Sequence, residues 1–478
     1  MSKSNSTAIS HRLFLAQMSS LRELMEISIL AFLLCLQALF LLQQWDPVSH
    51  FLAALCFLVL AIARHYSSTP SPVYLLDFSC LKPPSFCRVP MATYLEHAHM
   101  FDFLDKESVA FVAKILTQSG QGEHTYLPPS LHYIPPKSTQ QEAIKEVHMV
   151  LSPVLEDLLS KTKMSPTDID ILIVNCSGFC PAPSLSSIIV NKYSMRQDIK
   201  SFTLSGMGCS ASAVAIDMAY NILKTHKNSN ALILSTEILS TGWYPGKEHP
   251  MIVLNCLFRM GAAAILVSNR KEAKNSAKYK LLHTLRTQRA FDDKGYHSAF
   301  REEDSVGLTG VTIRRDLLQV AGETLRSNIT ILGLKILPYT EMMMYAFSIM
   351  KKKYWEKSTE IYTPNFKRAV QHFCLPASGK PVIREIGKGL KLAEKDMEPA
   401  LMTLHRFGNQ SSSSLWYELG YIEAKERVKV GDRVWQLGMG SGPKCSSLVW
   451  ECIHATVGEA RAGPWADCIQ KYPVGSVD

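Results

Sequence analysis

Apolar positions along the chain fall into two regimes. Near the N-terminus they form two nearly unbroken runs, residues 27–42 (ISILAFLLCLQALFLL) and 51–63 (FLAALCFLVLAIA), separated by a short loop holding Asp46 and Pro47. Each run falls short of the roughly 20 residues that a bilayer asks of one helix, so tilt or local thinning has to make up the difference. The pair predicts a membrane hairpin over residues 1–66. A cleaved signal peptide fits less well, because no small-residue cleavage site follows the first run and a second run comes at once. Arg12 and Arg22 precede the hairpin and Arg64, Lys82 and Arg88 follow it, while the loop between the runs carries no Lys or Arg. By the positive-inside rule that asymmetry puts both ends, and the body behind them, in the cytosol.

Beyond the hairpin, residues 70–90 are rich in Pro, Ser and Cys and read as a linker. Then the period changes. Residues 171–175 (ILIVN), 201–204 (SFTL), 231–234 (ALIL) and 262–267 (AAAILV) are short apolar runs bounded by turn residues, as buried strands are. Helix-length segments lie between them, notably 210–224. Strands alternating with helices predict an α/β body. A later stretch, 337–350, is apolar and ends in Lys351, Lys352 and Lys353; it reads either as an ordinary buried helix or as a segment lying on the cytosolic leaflet.

One comparison within the chain is informative. Residues 203–209 (TLSGMGC) and the helix-like stretch after them align without a gap on 403–409 (TLHRFGN) and its following stretch, an offset of 200 residues. Thr, Leu, Gly and a following serine (Ser212, Ser412) coincide. Each copy reads as a strand-like approach ending in Gly, then a reactive type of residue, then small residues and an amphipathic helix. A duplicated half-domain follows, 67–275 and 276–478, with Cys209 and Asn409 at equivalent corners.

A cysteine opening a helix meets unpaired N–H groups and the positive end of the helix dipole, which favour the thiolate. Small neighbours let a substrate approach, and N–H groups there can hold an oxyanion. On this stretch alone Cys209 is equally a packed structural cysteine; the internal repeat favours the nucleophile. Met207 stands where a hydrolase elbow needs Gly. The 12 cysteines, Cys209 included, are irregularly spaced, and Cys176 and Cys180 lack a second pair with zinc-ligand spacing, so free thiols are expected rather than disulfides or a metal site. The net charge of +9 is dispersed, without the basic block of a nucleic-acid surface, and suits a protein beside anionic lipid. The Gly-rich 437–442 lacks the Lys-Ser/Thr of a phosphate loop and reads as a place of close backbone approach.

The stretches SGMGCSASAVAID, LHTLRT, TLHRFGNQSSSSLWYELGYIEAK, VWQLGMGSGPKC and CIQKYPV together resemble the plant 3-ketoacyl-CoA synthases, the condensing enzymes of very-long-chain fatty acid elongation, along essentially the whole chain. The resemblance implies a thiolase-like fold of two βαβαβ halves in five layers, an endoplasmic reticulum membrane location, and a homodimer or a heterodimer with related synthases, working beside other elongase subunits in wax or lipid synthesis. It implies long-chain acyl-CoA and malonyl-CoA as substrates, no further cofactor and no metal. By the match, Cys209 accepts the acyl chain and Asn409 holds the developing enolate oxygen. His405 and His283 match family histidines. The family places a histidine four residues after His372, where this chain has Pro376, and another after LHTLRT, where it has Gln288. Proline offers neither a side-chain donor nor a backbone N–H. His372 is then a candidate substitute, although four extended residues span roughly 13 Å and one helical turn displaces a residue by about 6 Å. Two functions follow: an active synthase using Cys209, Asn409 and either His372 or His405, or a catalytically impaired pseudoenzyme that regulates an active relative by pairing with it.

Overall fold

The computed structural model describes residues 71–354, 361–455 and 458–475, with Phe51, Ala54, Leu55 and Leu58. The chain divides into Met1–Pro70 and Ser71–Asp478. The expected hairpin over 27–42 and 51–63 lies outside the described residues apart from those four, and among the described residues no helix is long and apolar enough to cross a membrane.

Strands β1 (Tyr74–Cys80), β2 (Ile171–Asn175), β3 (Lys200–Leu204), β4 (Asn230–Thr236), β5 (Ala262–Ser268), β6 (Tyr279–Gln288), β9 (His372–Cys374), β10 (Arg433–Gly440) and β11 (Lys444–Cys452) form one sheet in the order β3-β2-β4-β5-β1-β6-β11-β10-β9. A separate ribbon pairs β7 (Ala299–Glu303) with β8 (Thr309–Ile313). At the centre β1 and β6 meet antiparallel through Tyr74 opposite Lys280 and Leu75 opposite Tyr279. Outward from that seam the two sides repeat. β1-β5-β4 and β6-β11-β10 are each antiparallel, and each is followed by a parallel neighbour, β2 on one side and β9 on the other.

Helices complete the layers. Gln140–Thr162 covers β1, β4 and β5 on one outer face, and Leu317–Ile336 covers β6 and β11 on the other. Ala211–Thr225 packs on β2 and β4 and also on β10 and β11, and Ser414–Ala424 touches β1, β9 and β10, so these two helices lie between the half-sheets. The result is α/β/α/β/α. Covering both faces explains why β2, β4 and β5 read as continuous apolar runs rather than alternating ones; all their residues are buried.

Two expectations fail. The supposed linker 70–90 contains β1, the central strand: Leu75 and Phe78 are fully buried, and Asp77 between them is held by Lys278 Nζ at 2.7 Å. The approach to Asn409 is helical, not strand-like: Glu394–Phe407 buries Met397, Ala400, Leu404 and Phe407 at helical spacing, with Glu394 and Asp396 at its positive end. Gly408, at φ 76°, ends it. The repeat therefore equates β3 in one half with a helix in the other.

Candidate active site

The two inner helices begin at the same place. Cys209 lies in a short 3-10 turn, Gly208–Ser210, that runs directly into Ala211–Thr225, and a matching turn, Ser411–Ser413, runs into Ser414–Ala424. Residues that the offset of 200 equates now touch: Ser212 Oγ donates to the Ser412 carbonyl at 2.7 Å. Ser412 Oγ donates to Asn175 Oδ1 at 2.9 Å, and Ser413 Oγ donates to the Ser235 carbonyl at 2.8 Å, pinning the second turn to the ends of β2 and β4. The serines thus tie the turn to its neighbours by donating to them, and neither inner helix start has a side-chain cap.

Glycines let the loops close. Gly208 has φ 59°, and a Cβ there would lie 2.5 Å from Ser441 N; a Cβ on Gly440 would lie 2.3 Å from the Met207 carbonyl oxygen. The Gly-rich 437–442 stretch is thus pressed against the Cys209 turn, as its sequence indicates. Gly208 N–H is taken by Ser177 Oγ at 2.9 Å.

Cys209 is partly exposed, and burial pushes its thiol up to about 11, the Ser411 hydroxyl opposing the shift and Glu237 adding to it. The helix-start argument for a resting thiolate loses to desolvation. Ser411 is held at φ 56°, a left-handed conformation costing a non-glycine residue on the order of 1–3 kcal/mol. Its hydroxyl stands 3.5 Å from Cys209 Sγ and 3.4 Å from Glu237 Oε2. Glu237 follows β4 and also accepts from Ser177 N at 3.1 Å, from Gly178 N and from Cys176 Sγ at 3.5 Å. Burial raises its carboxyl, with the two N–H groups resisting. The row from Cys209 through Ser411 to Glu237 is a path along which the thiol proton can leave. Sequence reasoning missed both partners, although an acid at the end of a buried strand was a usable signal for Glu237.

Asn409 is fixed from three sides. Its carbonyl accepts from Arg259 N at 2.8 Å, its N–H reaches the Leu257 carbonyl at 3.4 Å, and its Oδ1 accepts from Ser411 N at 2.8 Å. With Oδ1 tied to that N–H, the amide offers its Nδ2 hydrogens on the other side, as a donor.

The histidines are engaged elsewhere. His372 opens β9 and meets Asp432 Oδ2 through Nε2 at 2.9 Å. His405 lies in the helix Glu394–Phe407, its Nδ1 3.2 Å from Tyr472 Oη and its ring packed over Gly122. Burial lowers His405, with His124 and Arg406 adding to the shift. His283 sits in β6 opposite Val449, and Gln288 ends that strand, exposed, opposite Lys444. Pro376 is buried just past β9, in a segment tied down where Leu375 N donates to Glu418 Oε2 at 2.7 Å. Glu418 is fully buried, and burial raises its carboxyl well above the usual range. Beside the Cys209 turn, a cavity of about 670 Å³ is lined by Phe202, Met207, Val214 and Met218, with Arg286 and Lys444 among its polar groups.

The profile of the family described as FAE1/Type III polyketide synthase-like protein matches residues 65–354, and that of the 3-oxoacyl-[acyl-carrier-protein] synthase III C-terminal region matches 367–452. The chain belongs to the FAE1/type III polyketide synthase-like family. Among its relatives is 3-ketoacyl-CoA synthase 6 of Arabidopsis thaliana, 48% identical over 438 residues, 91% of this chain and 88% of the relative. Another is 3-ketoacyl-CoA synthase 5 of the same plant, 48% identical over 425 residues, 89% of this chain and 86% of the relative. The fold matches solved structures of the thiolase type. The 1,3,6,8-tetrahydroxynaphthalene synthase of Streptomyces coelicolor superposes with a TM-score of 0.61 at 17% identity, covering 80% of this chain and 100% of that one. A type III pentaketide synthase from Neurospora crassa gives 0.62 at 15%, covering 80% and 99%. Membership is thus carried by sequence and the architecture by structure.

Proposed function

We propose that the chain is a very-long-chain 3-ketoacyl-CoA synthase that works by acyl transfer to Cys209 followed by decarboxylative condensation. The observation that carries this reading is the meeting of the Cys209 turn with the loop of Asn409 through Ser411. Cys209 loses its proton along Ser411 to Glu237, and its sulfur attacks the thioester carbonyl of a long-chain acyl-CoA. The sulfur–acyl bond forms, the acyl–CoA bond breaks, and the proton returns to the leaving CoA thiolate. Malonyl-CoA then loses CO₂, the enolate oxygen is held by Asn409 Nδ2, and the enolate carbon attacks the acyl-cysteine, breaking the sulfur–acyl bond to release 3-ketoacyl-CoA and the Cys209 thiolate, which takes a proton from water to restore the thiol. The protein is anchored in the endoplasmic reticulum membrane by residues 27–63, with its body in the cytosol, and acts as a dimer with itself or a related synthase.

Pro376 favours a second reading, in which acyl transfer survives and condensation is crippled, so that the chain serves as a partner to an active synthase. Losing one oxyanion donor costs on the order of 10²–10³ in rate. His372 is turned onto Asp432 and does not replace the missing group. The test is a two-step assay of the full-length protein. Long-chain acyl-CoA is expected to modify Cys209, seen by mass spectrometry, malonyl-CoA to release 3-ketoacyl-CoA slowly, and Pro376→His to raise that release about 10²-fold. Failure of Cys209 to acylate would overturn the synthase reading. Brisk release unchanged by Pro376→His would overturn the second.

A further inference from the structure

The helix Tyr339–Tyr354 is amphipathic in the wrong sense for a protein bathed in water. Its buried residues are the polar Glu341 and Ser348. Glu341 Oε2 accepts from Tyr362 Oη and from Asn365 N, both at 2.8 Å, and its Oε1 pairs with Arg368 at 3.2 Å. Ser348 Oγ accepts from Tyr362 N at 3.0 Å. Polar bonds, with Met342 packed on the core, fasten the helix to the body, and most of its apolar residues face out. Tyr339, Met343, Phe347, Met350 and Tyr354, at helical spacing, form an outward stripe in which Tyr339 is 83%, Met343 71% and Tyr354 69% exposed. The preceding helix, Leu317–Ile336, adds exposed Ile331 and Leu334 near its end. An outward apolar stripe of this kind marks a contact surface.

We infer that this face lies on the surface of a lipid bilayer containing anionic lipid, apart from any anchoring by the N-terminal runs. Charge decides the occupant. Exposed Lys335, Lys352 and Lys353 flank the band, and Glu341, the helix's one acid, is turned inward. Among the described residues of this band, a second copy would meet the same basic ends with no exposed acid opposite them, whereas an anionic leaflet supplies the complement. Tyr339 and Tyr354 stand at the two ends of the stripe, where side chains with an apolar body and a polar tip suit the headgroup level. The Met and Phe side chains between them are unbranched or flat and fit an irregular acyl boundary.

The test reads the helix itself, because a full-length chain can be held to vesicles by its N-terminus. An environment-sensitive fluorescent amino acid is placed at position 347, with a control at exposed Val306, in full-length protein reconstituted into phosphatidylcholine vesicles with or without phosphatidylserine. Brominated lipid is expected to quench position 347 but not 306, and an aqueous quencher to act the other way. Reversing charge with Lys352→Glu and Lys353→Glu should weaken the lipid quenching about tenfold in phosphatidylserine vesicles and little in phosphatidylcholine alone. Equal aqueous access at 347 and 306 would overturn the inference. So would shielding of 347 that grows with protein concentration without lipid quenching, the mark of a second copy.

Discussion

At the scale of single residues the site turns on whether a buried thiol can lose its proton. The N-terminal position of Cys209 argues for a thiolate, and that position is legible in GMGCSAS. Its desolvation is not, because that depends on Ser411 beside the sulfur and on Gly440 packed against the flanking Met207 and Ser210, and those come from segments more than 200 residues away. With the thiol up at about 11, almost none is ionised at neutral pH, and the Ser411–Glu237 path supplies the missing base. Glu237→Gln should slow acylation of Cys209 on the order of 10²-fold at pH 7. The pH profile carries the sharper sign. The native rate should level off once Glu237 is ionised, whereas the variant should climb about tenfold per pH unit toward pH 11, following thiolate alone. Rapid-quench acylation across pH 6–10 measures this, and superimposable profiles would remove Glu237 from the reaction. Facing groups that share the titration are Cys176 on one side and Glu146, beneath the same loop, on the other.

Elements were legible where both faces are covered and poorly so where turn-type residues surround a strand. β2 matches ILIVN residue for residue, and β4 and β5 extend their apolar runs by one to two residues at an end. β1 was hidden by the Pro, Ser and Cys content of the stretch around it, and nothing local announces that Lys278 will neutralise Asp77 at its middle. Lys278 also binds Glu423 at 3.0 Å and approaches Glu459 at 3.8 Å, so one ammonium holds together β1, an inner helix and the C-terminal segment. Burial raises Glu423 to about 7 despite that partner, which opposes the shift. Lys278→Met should therefore destabilise the fold by about 3–5 kcal/mol, since it strands buried carboxylates. A carboxyl raised in the folded state takes stability away as pH rises from its unfolded value, near 4.5, toward 7 and beyond. The deficit should be greatest above pH 7 and shrink toward pH 5, where Glu423 is protonated. Urea titrations at the two pH values decide it; a deficit independent of pH would mean that Lys278 acts by packing alone.

For the whole molecule, the offset of 200 residues held in space although half of its local detail did not: the serines it equates are hydrogen-bonded, while the approach to Asn409 is a helix. Pseudo-symmetry constrains where loops meet more tightly than which element leads into them, so the site was legible and one of its supports was not. The same burial changes how membrane orientation can be tested. Of the four glycosylation sequons, Asn5-Ser6-Thr7 lies outside the described residues and the others begin at Asn175, Asn328 and Asn409; these three asparagines are buried, so they stay bare on either side of a membrane. A reporter has to be built where acceptor and hydroxyl are both exposed. Lys137→Asn does so with one change, creating an acceptor before Ser138 and Thr139 in an exposed loop. The charge placed around residues 27–63 puts the body in the cytosol, so the variant, made in cells or in translation with microsomes and run beside the parent chain with its own Asn5 sequon, should show no additional endoglycosidase-sensitive shift. Loss of the Lys137 contact with the Tyr133 ring, at 3.5 Å, removes only a surface interaction of roughly 0.5–1 kcal/mol, so the folded body remains the species tested. An additional shift on endoglycosidase treatment would place Cys209 in the lumen, away from cytosolic acyl-CoA, and would overturn the orientation.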